Sequence, residues 1–338
     1  RKCFPLQIPG WDGKDTDMTT WTPKGRDINI VEVNTQKVIH KVPSSIFKGL
    51  DKTKDNGGLK RNKESFSSLD MLIQNPFDYV MSYLFNCTES GGTNLSQVKG
   101  NVVHKMFNNA VLDAGCDWAK VKEALTKNFD ESFEAAVNDV GIELLSLDNR
   151  LTYRLFKEVV RDTSIPAFIK IIEDNQLEIV GSEMDIDVNL QDIGRFNAKI
   201  DMVLRNHHGK YVIRDFKWTE NREADREAEI QNNMEMQLAL YAQAVRQHLG
   251  NGNAEDVEAI GYFMLKQGMF YTEYQGLKAS RYVKVIKKKS TDPILEMVIE
   301  SYKFRMRQFK GESDVSVIEE GEQMDVPDGI EGYHDAGG

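Results

Sequence analysis

The spacing of apolar residues divides this chain into blocks of changing period. Residues 177–190, 195–204 and 210–218 alternate or run continuously apolar and read as three successive strands. Between the last two lies Asn206-His207-His208-Gly209, a hairpin-type turn that folds the chain back on itself. Further strands read at 259–266, 270–274 and 282–286. Helical spacing governs 67–85, with a break at Asn75-Pro76, because proline supplies no amide to a helix interior. A glycine-rich loop at 90–93 precedes a helix read as starting at Gly100, with Val103, Phe107, Ala110 and Val111 on one face. Several helices follow over 117–175, through 121–125, 133–140 and 151–172, and 234–245 and 294–309 are helical again. Residues 1–60 carry strand-like pieces at 28–33 and 37–42 and a Gly/Lys/Asp-rich link at 51–60. The pattern predicts an α/β fold, a central mixed β-sheet flanked by helices. The main domain spans 61–311 with a helical insertion at about 117–175, preceded by an N-terminal extension over 1–60 and followed by an acidic tail over 312–338.

One strand ends in Asp215-Phe216-Lys217, and Asp201 lies on the strand before it. Side chains alternate along a strand, so Asp215 and Lys217 share a face that Phe216 does not. Folding about the 206–209 turn sets Asp201 roughly opposite Asp215, which brings two carboxylates and one ammonium to one spot. Such a spot can hold a divalent cation and a positive charge against one phosphate. The triplet alone is weak evidence, since most such triplets are solvated surface. His104, on its helix, can offer a neutral imidazole nitrogen or be a core-edge histidine. Gln237 and Tyr241, four apart on one helix face, can reach one ligand, or Tyr241 can be a core aromatic with its hydroxyl at the rim. Glu183, on an earlier strand, is a candidate extra carboxylate, with a solvated strand residue as the alternative.

Taken in order, Gly100 with His104, Asp201, Asp215 with Lys217, and Gln237 with Tyr241 resemble the RecB-type branch of the PD-(D/E)XK nuclease superfamily. The likeness is to the nuclease domain of AddB-like helicase–nuclease subunits, and a serine-rich helix start with a Pro76-Phe77 step adds to it. It runs from about Ser65 to Gly311. The resemblance implies a restriction-endonuclease-like core and a Mg²⁺- or Mn²⁺-dependent DNA nuclease active in repair and recombination, with a helicase subunit or helicase region as partner. It implies Asp201, Asp215, the Phe216 carbonyl and His104 as metal ligands, Lys217 as the catalytic cation, and Gln237 and Tyr241 as residues that place the scissile strand. Hard oxygen donors suit such cations. Three departures stand out: Ala198 where the family has glycine, Met202 where it often has arginine, and Trp218-Thr219 where threonine-glycine is common. A catalytically silent scaffold that grips DNA for a helicase is the alternative reading.

Some family members carry an iron–sulfur cluster on four cysteines, and this chain has three, Cys3, Cys87 and Cys116. No iron–sulfur cluster is therefore expected, and free thiols fit a reducing cytoplasm. No apolar run approaches the roughly 18 residues of a membrane span. The chain opens on Arg1 and reads as a piece of a longer protein. A net charge of −10 opposes nucleic-acid binding at first sight. Yet the segment after Gly311 holds nine acidic residues and no lysine or arginine. Basic clusters at 48–63, at 284–289 and at Arg305, Arg307 and Lys310 are candidates for a phosphate backbone, with solvated surface as the alternative.

Overall fold

A computed structural model describes residues 41–43, 63–84, 94–220, 223–274, 276–278, 281–289, 293–310 and 317–319. The strand expected at 28–33, the link at 51–60, the loop at 90–93, Cys3 and Cys87 lie outside those residues. In chain order come β1 (Lys41–Pro43), β2 (Glu64–Ser65), α1 (Phe66–Gln74), α2 (Pro76–Tyr79), α3 (Leu95–Ala114), α4 (Trp118–Thr126), α5 (Phe129–Val140), α6 (Arg150–Val159) and α7 (Ile165–Asp174). They are followed by β3 (Glu178–Leu190), β4 (Gly194–Arg205), β5 (Tyr211–Lys217), α8 (Glu223–Gln231), α9 (Met236–His248), β6 (Val257–Met264), β7 (Met269–Thr272), β8 (Val283–Val285), α10 (Ile294–Lys310) and β9 (Val317–Glu319).

Local chemistry sets the element ends. Ser65 caps α1 through a reciprocal pair with Ser68, and Pro76 starts α2 where α1 has stopped. In the β4–β5 turn, Asn206 Oδ1 accepts from the amides of His208 and Lys210, both at 3.0 Å, and Gly209 takes a φ of 80° that few other residues tolerate. The helix carrying His104 starts at Leu95 under an Asn94 cap, earlier than the sequence reading placed it. Gly100 therefore lies inside α3, where a Cβ would stand 3.6 Å from Trp218 Cβ. The segment read as one helix over 151–172 is α6 and α7 joined by a π-helical turn at Val160–Ser164.

Seven strands make a mixed sheet in the order β2-β4-β5-β6-β7-β8, with β3 also paired to β4. β4 runs antiparallel to β3 and β5, and β5 runs parallel to β6. The two faces pack separately. Met202, Leu204, Val212 and Phe216 meet α3, α5 and α7 through Phe107, Phe133 and Phe168. Ile200, Val203 and Ile213 meet α1, α9 and α10 through Leu72, Leu240 and Val298. Each such fully buried side chain contributes roughly 1.5–3 kcal/mol, which holds α3 and α9 against opposite faces of β5. β1 pairs antiparallel with β9 from Lys41↔Glu319 to Pro43↔Val317, so part of the expected extension is joined to the expected tail. No helix among the described residues is long and apolar enough to cross a membrane.

The basic cluster near the C-terminus is only partly available to a ligand. Arg305 is buried and donates to the Ile73 carbonyl, so it is a core residue rather than a phosphate contact. Lys288 is paired with Glu235 and, at 2.8 Å, with Glu273, and Lys284 is paired with Glu227 at 2.6 Å.

Candidate active site

The β4–β5 ladder pairs Arg205 with Tyr211 and ends at Met202–Arg214. The next residues, Asp201 and Asp215, begin the site. Past the ladder's end the Phe216 amide donates to Asp201 Oδ2 at 2.6 Å, while β5 stays paired to β6 as far as Lys217–Met264. The two strands thus part where the carboxylates sit. β4 also slips its alternation there: Ile200 and Val203 pack in one core and Met202 in the other. On β3 the residue between the pairs Ser182–Met202 and Met184–Ile200 is Glu183, held at a φ of 48°. A non-glycine residue in that region costs on the order of 1–3 kcal/mol, and such strain gathers at functional sites.

The irregularity delivers Glu183 to His104. Nδ1 of His104 lies 3.3 Å from Glu183 Oε1 and 3.4 Å from Asp201 Oδ1, and Nε2 lies 3.0 Å from the Phe216 carbonyl oxygen. Both ring nitrogens therefore face acceptors. Burial by itself lowers the His104 pKa, but Asp201 and Glu183 outweigh it and hold the imidazole up at about 10. The two carboxylates favour the protonated ring, so a cation held at this nitrogen displaces that proton. Glu183 is held down at about 2, chiefly by its hydrogen bond from His104 and, against burial, by Lys199 at 2.6 Å.

Asp215 sits on the α9 side. It is almost fully buried, which pushes its carboxyl up, while Lys217 pulls it down and Asp201 pushes it up again. Lys217 Nζ lies 2.7 Å from Asp215 Oδ2 and donates to Gln237 Oε1 at 3.0 Å. Gln237 Nε2 donates to Asp215 Oδ1 at 2.8 Å and to the Tyr241 hydroxyl at 3.0 Å. One amide on α9 thus fixes the carboxylate, the ammonium and the phenol together. Tyr241 is buried in the core beneath, and burial followed by the Asp215 charge raises its pKa.

The structure brings Asp201, Asp215, Phe216, Lys217, His104, Glu183, Gln237 and Tyr241 into one connected cluster. Ligand atoms of His104, Glu183 and Asp201 lie within 4.8 Å of one another. Carboxylates, a carbonyl and one imidazole form a donor set that fits a hard divalent cation of the Mg²⁺ or Mn²⁺ kind. The departures from the family pattern are accommodated. Ala198 is buried in the core and takes no positive φ, and Trp218 stacks edge-on against Phe156 at 4.8 Å. Helix α8, beside the site, has no counterpart in the sequence reading: its Glu223-Ala-Asp-Arg-Glu-Ala-Glu run has no apolar stripe, so periodicity could not find it.

A mixed sheet thus lies between helical layers, and its strands β4 and β5 part at paired carboxylates next to a lysine. A family model for the PD-(D/E)XK nuclease superfamily matches residues 63–319, and the chain belongs to that superfamily. No curated protein matches the chain closely enough to count as a relative.

Proposed function

We propose that the chain is a Mg²⁺- or Mn²⁺-dependent deoxyribonuclease acting as an exonuclease on DNA ends. In this reading it is the nuclease module of a RecB/AddB-type helicase–nuclease serving DNA repair and recombination, with a helicase subunit or helicase region as partner. The observation that carries the proposal is the convergence of Asp201, Asp215, the Phe216 carbonyl and His104 beside Lys217. Asp201, Asp215, Glu183, His104 and the Phe216 carbonyl would hold the cation. When bound, it supplies charge neutralisation at the phosphate and acidifies the attacking water.

The remaining work falls to the chain's own groups. Hydrolysis forms a bond from the water oxygen to phosphorus, breaks a phosphorus–ester bond and delivers a proton to the leaving oxygen. Lys217, paired with Asp215, stabilises negative charge that grows on the phosphate oxygens in the transition state. Gln237 keeps Lys217 aimed by accepting its hydrogen bond. Gln237 faces the strand, and Tyr241, buried beneath it, takes part in placing the strand by accepting the Gln237 hydrogen bond. A time course on end-labelled linear DNA and on covalently closed circles tests the mode. Loss of linear DNA with circles intact supports the exonuclease reading, and equal cleavage of circles contradicts it.

A further inference from the structure

Arg226 is the single cation of α8, whose other charged residues, Glu223, Asp225, Glu227 and Glu229, are all acidic. Unaccompanied, such a helix repels a nucleic acid from the site it borders. The Arg226 side chain is partly covered, with its guanidinium carbon 5.5 Å from the centre of the Tyr262 ring. Lys217 Nζ stands 5.8 Å from the centre of that same ring, and Tyr262 is the β6 partner of Asp215 in the sheet. The two cations therefore share one aromatic platform beside Asp215. The only carboxylate paired with Arg226 among the described residues is Glu229, at 2.5 Å and one turn along the same helix. Its buried Nε has no acceptor among the described residues. A guanidinium that is 29% exposed and held by one carboxylate of its own helix suits exchange onto a phosphate, which such a group binds through two parallel N–H···O bonds.

We propose that Arg226 is a phosphate-binding residue of this site. It leaves Glu229 when a DNA strand enters and grips the phosphate next to the one at Asp215 and Lys217. The proposal rests on the nuclease reading of that site. It explains how an acidic helix can flank a DNA path: the strand displaces Glu229 from Arg226 and gains a charge-assisted contact.

The test measures binding of a fluorescent single-stranded oligonucleotide with Ca²⁺ in place of Mg²⁺, across a salt series, for wild type, R226A, R226K and E229Q. Cleavage by the same proteins is measured with Mg²⁺. One lost phosphate contact reduces the salt slope by about 0.7 for a single strand. The expected result is that reduction in R226A, with kcat/KM down about 10- to 100-fold, mostly through KM, while R226K keeps the slope and recovers part of the activity. E229Q, which keeps the arginine, is expected to bind more tightly than wild type. An R226A salt slope equal to that of wild type with kcat/KM within about twofold, or weaker binding by E229Q, overturns the proposal. Wild-type binding without Mg²⁺- or Mn²⁺-dependent cleavage defeats the nuclease reading instead, and the slopes still report on Arg226.

Discussion

The amide of Phe216 gives its hydrogen bond to the side chain of Asp201, at 2.6 Å, rather than to a carbonyl of the neighbouring strand. This bond replaces the ladder where β4 and β5 part, and it fixes one carboxylate while freeing the Phe216 carbonyl to face His104 at 3.0 Å.

Lys217→Ala is expected to slow DNA cleavage on the order of 100- to 1,000-fold, the loss typical of one transition-state donor. Lys217 pairs with Asp215 but cannot ligate a cation while protonated, so Mn²⁺ affinity is expected to hold. Titration calorimetry with Mn²⁺ beside single-turnover cleavage rates separates the two. Loss of metal binding together with rate would show that Lys217 builds the site rather than acting in the chemical step.

Gln237→Ala removes the amide shared by Asp215, Lys217 and Tyr241. Hydrogen bonds to charged groups are worth about 1.5–3 kcal/mol, so kcat is expected to fall about 10- to 100-fold. Steady-state kinetics check this, and an unchanged kcat would show that Lys217 is aimed without the amide.

Arg214 is a separate case, buried on the opposite face of β5 between the rings of Phe168 and Phe270, at 5.8 and 4.9 Å from its guanidinium carbon. Among the described residues no oxygen accepts a hydrogen bond from it. Taking one such charge out of water costs several kcal/mol, which an apolar side chain of similar volume does not incur. Arg214→Met is expected to raise the urea midpoint, and a lowered midpoint would show that the guanidinium is compensated in a way the ring contacts do not describe.

Acid sensitivity has a definite source at Glu220. Hydrogen bonds from Lys266 at 2.8 Å and Lys99 at 2.5 Å, opposed by burial and helped by Trp218, hold its carboxyl down at about 2. A carboxylate with a depressed folded pKa adds stability above its unfolded value of about 4.3, and this contribution is lost as pH falls towards the folded value. The side chain is 39% exposed, so solvent screening keeps the effect small. Wild type is expected to exceed Glu220→Gln in stability at about pH 6 and to lose that margin by about pH 2. A margin that does not change with pH would contradict this assignment.

Much of this site was legible in the sequence because strand alternation fixes which residues share a face. Asp215 and Lys217 had to point together, and the 206–209 turn had to set Asp201 across from Asp215. Glu183 was legible only as a candidate, since its delivery to His104 depends on a φ of 48° that no spacing rule encodes. The meeting of two carboxylates at His104 Nδ1 depends on strands β3 and β4 arriving together, a tertiary fact. Helix α8 was invisible because it has no apolar stripe, and Arg226 with it. The pairing of β1 with β9 joins segments far apart in the chain, which local pattern cannot foresee. Arg305 read as a surface cation because its burial comes from packing of α10 on α1.

The central claim, that the Asp201–Asp215–His104 cluster performs metal-dependent DNA cleavage, is tested most directly by incubating wild type and Asp215→Ala with end-labelled linear DNA. Each is assayed with EDTA, Mg²⁺ or Mn²⁺. The account predicts cleavage by wild type that requires the divalent cation, and loss of both cleavage and Mn²⁺ binding in Asp215→Ala. Wild-type protein that binds DNA yet cleaves none in either cation, or an Asp215→Ala variant that cleaves at the wild-type rate, would contradict it.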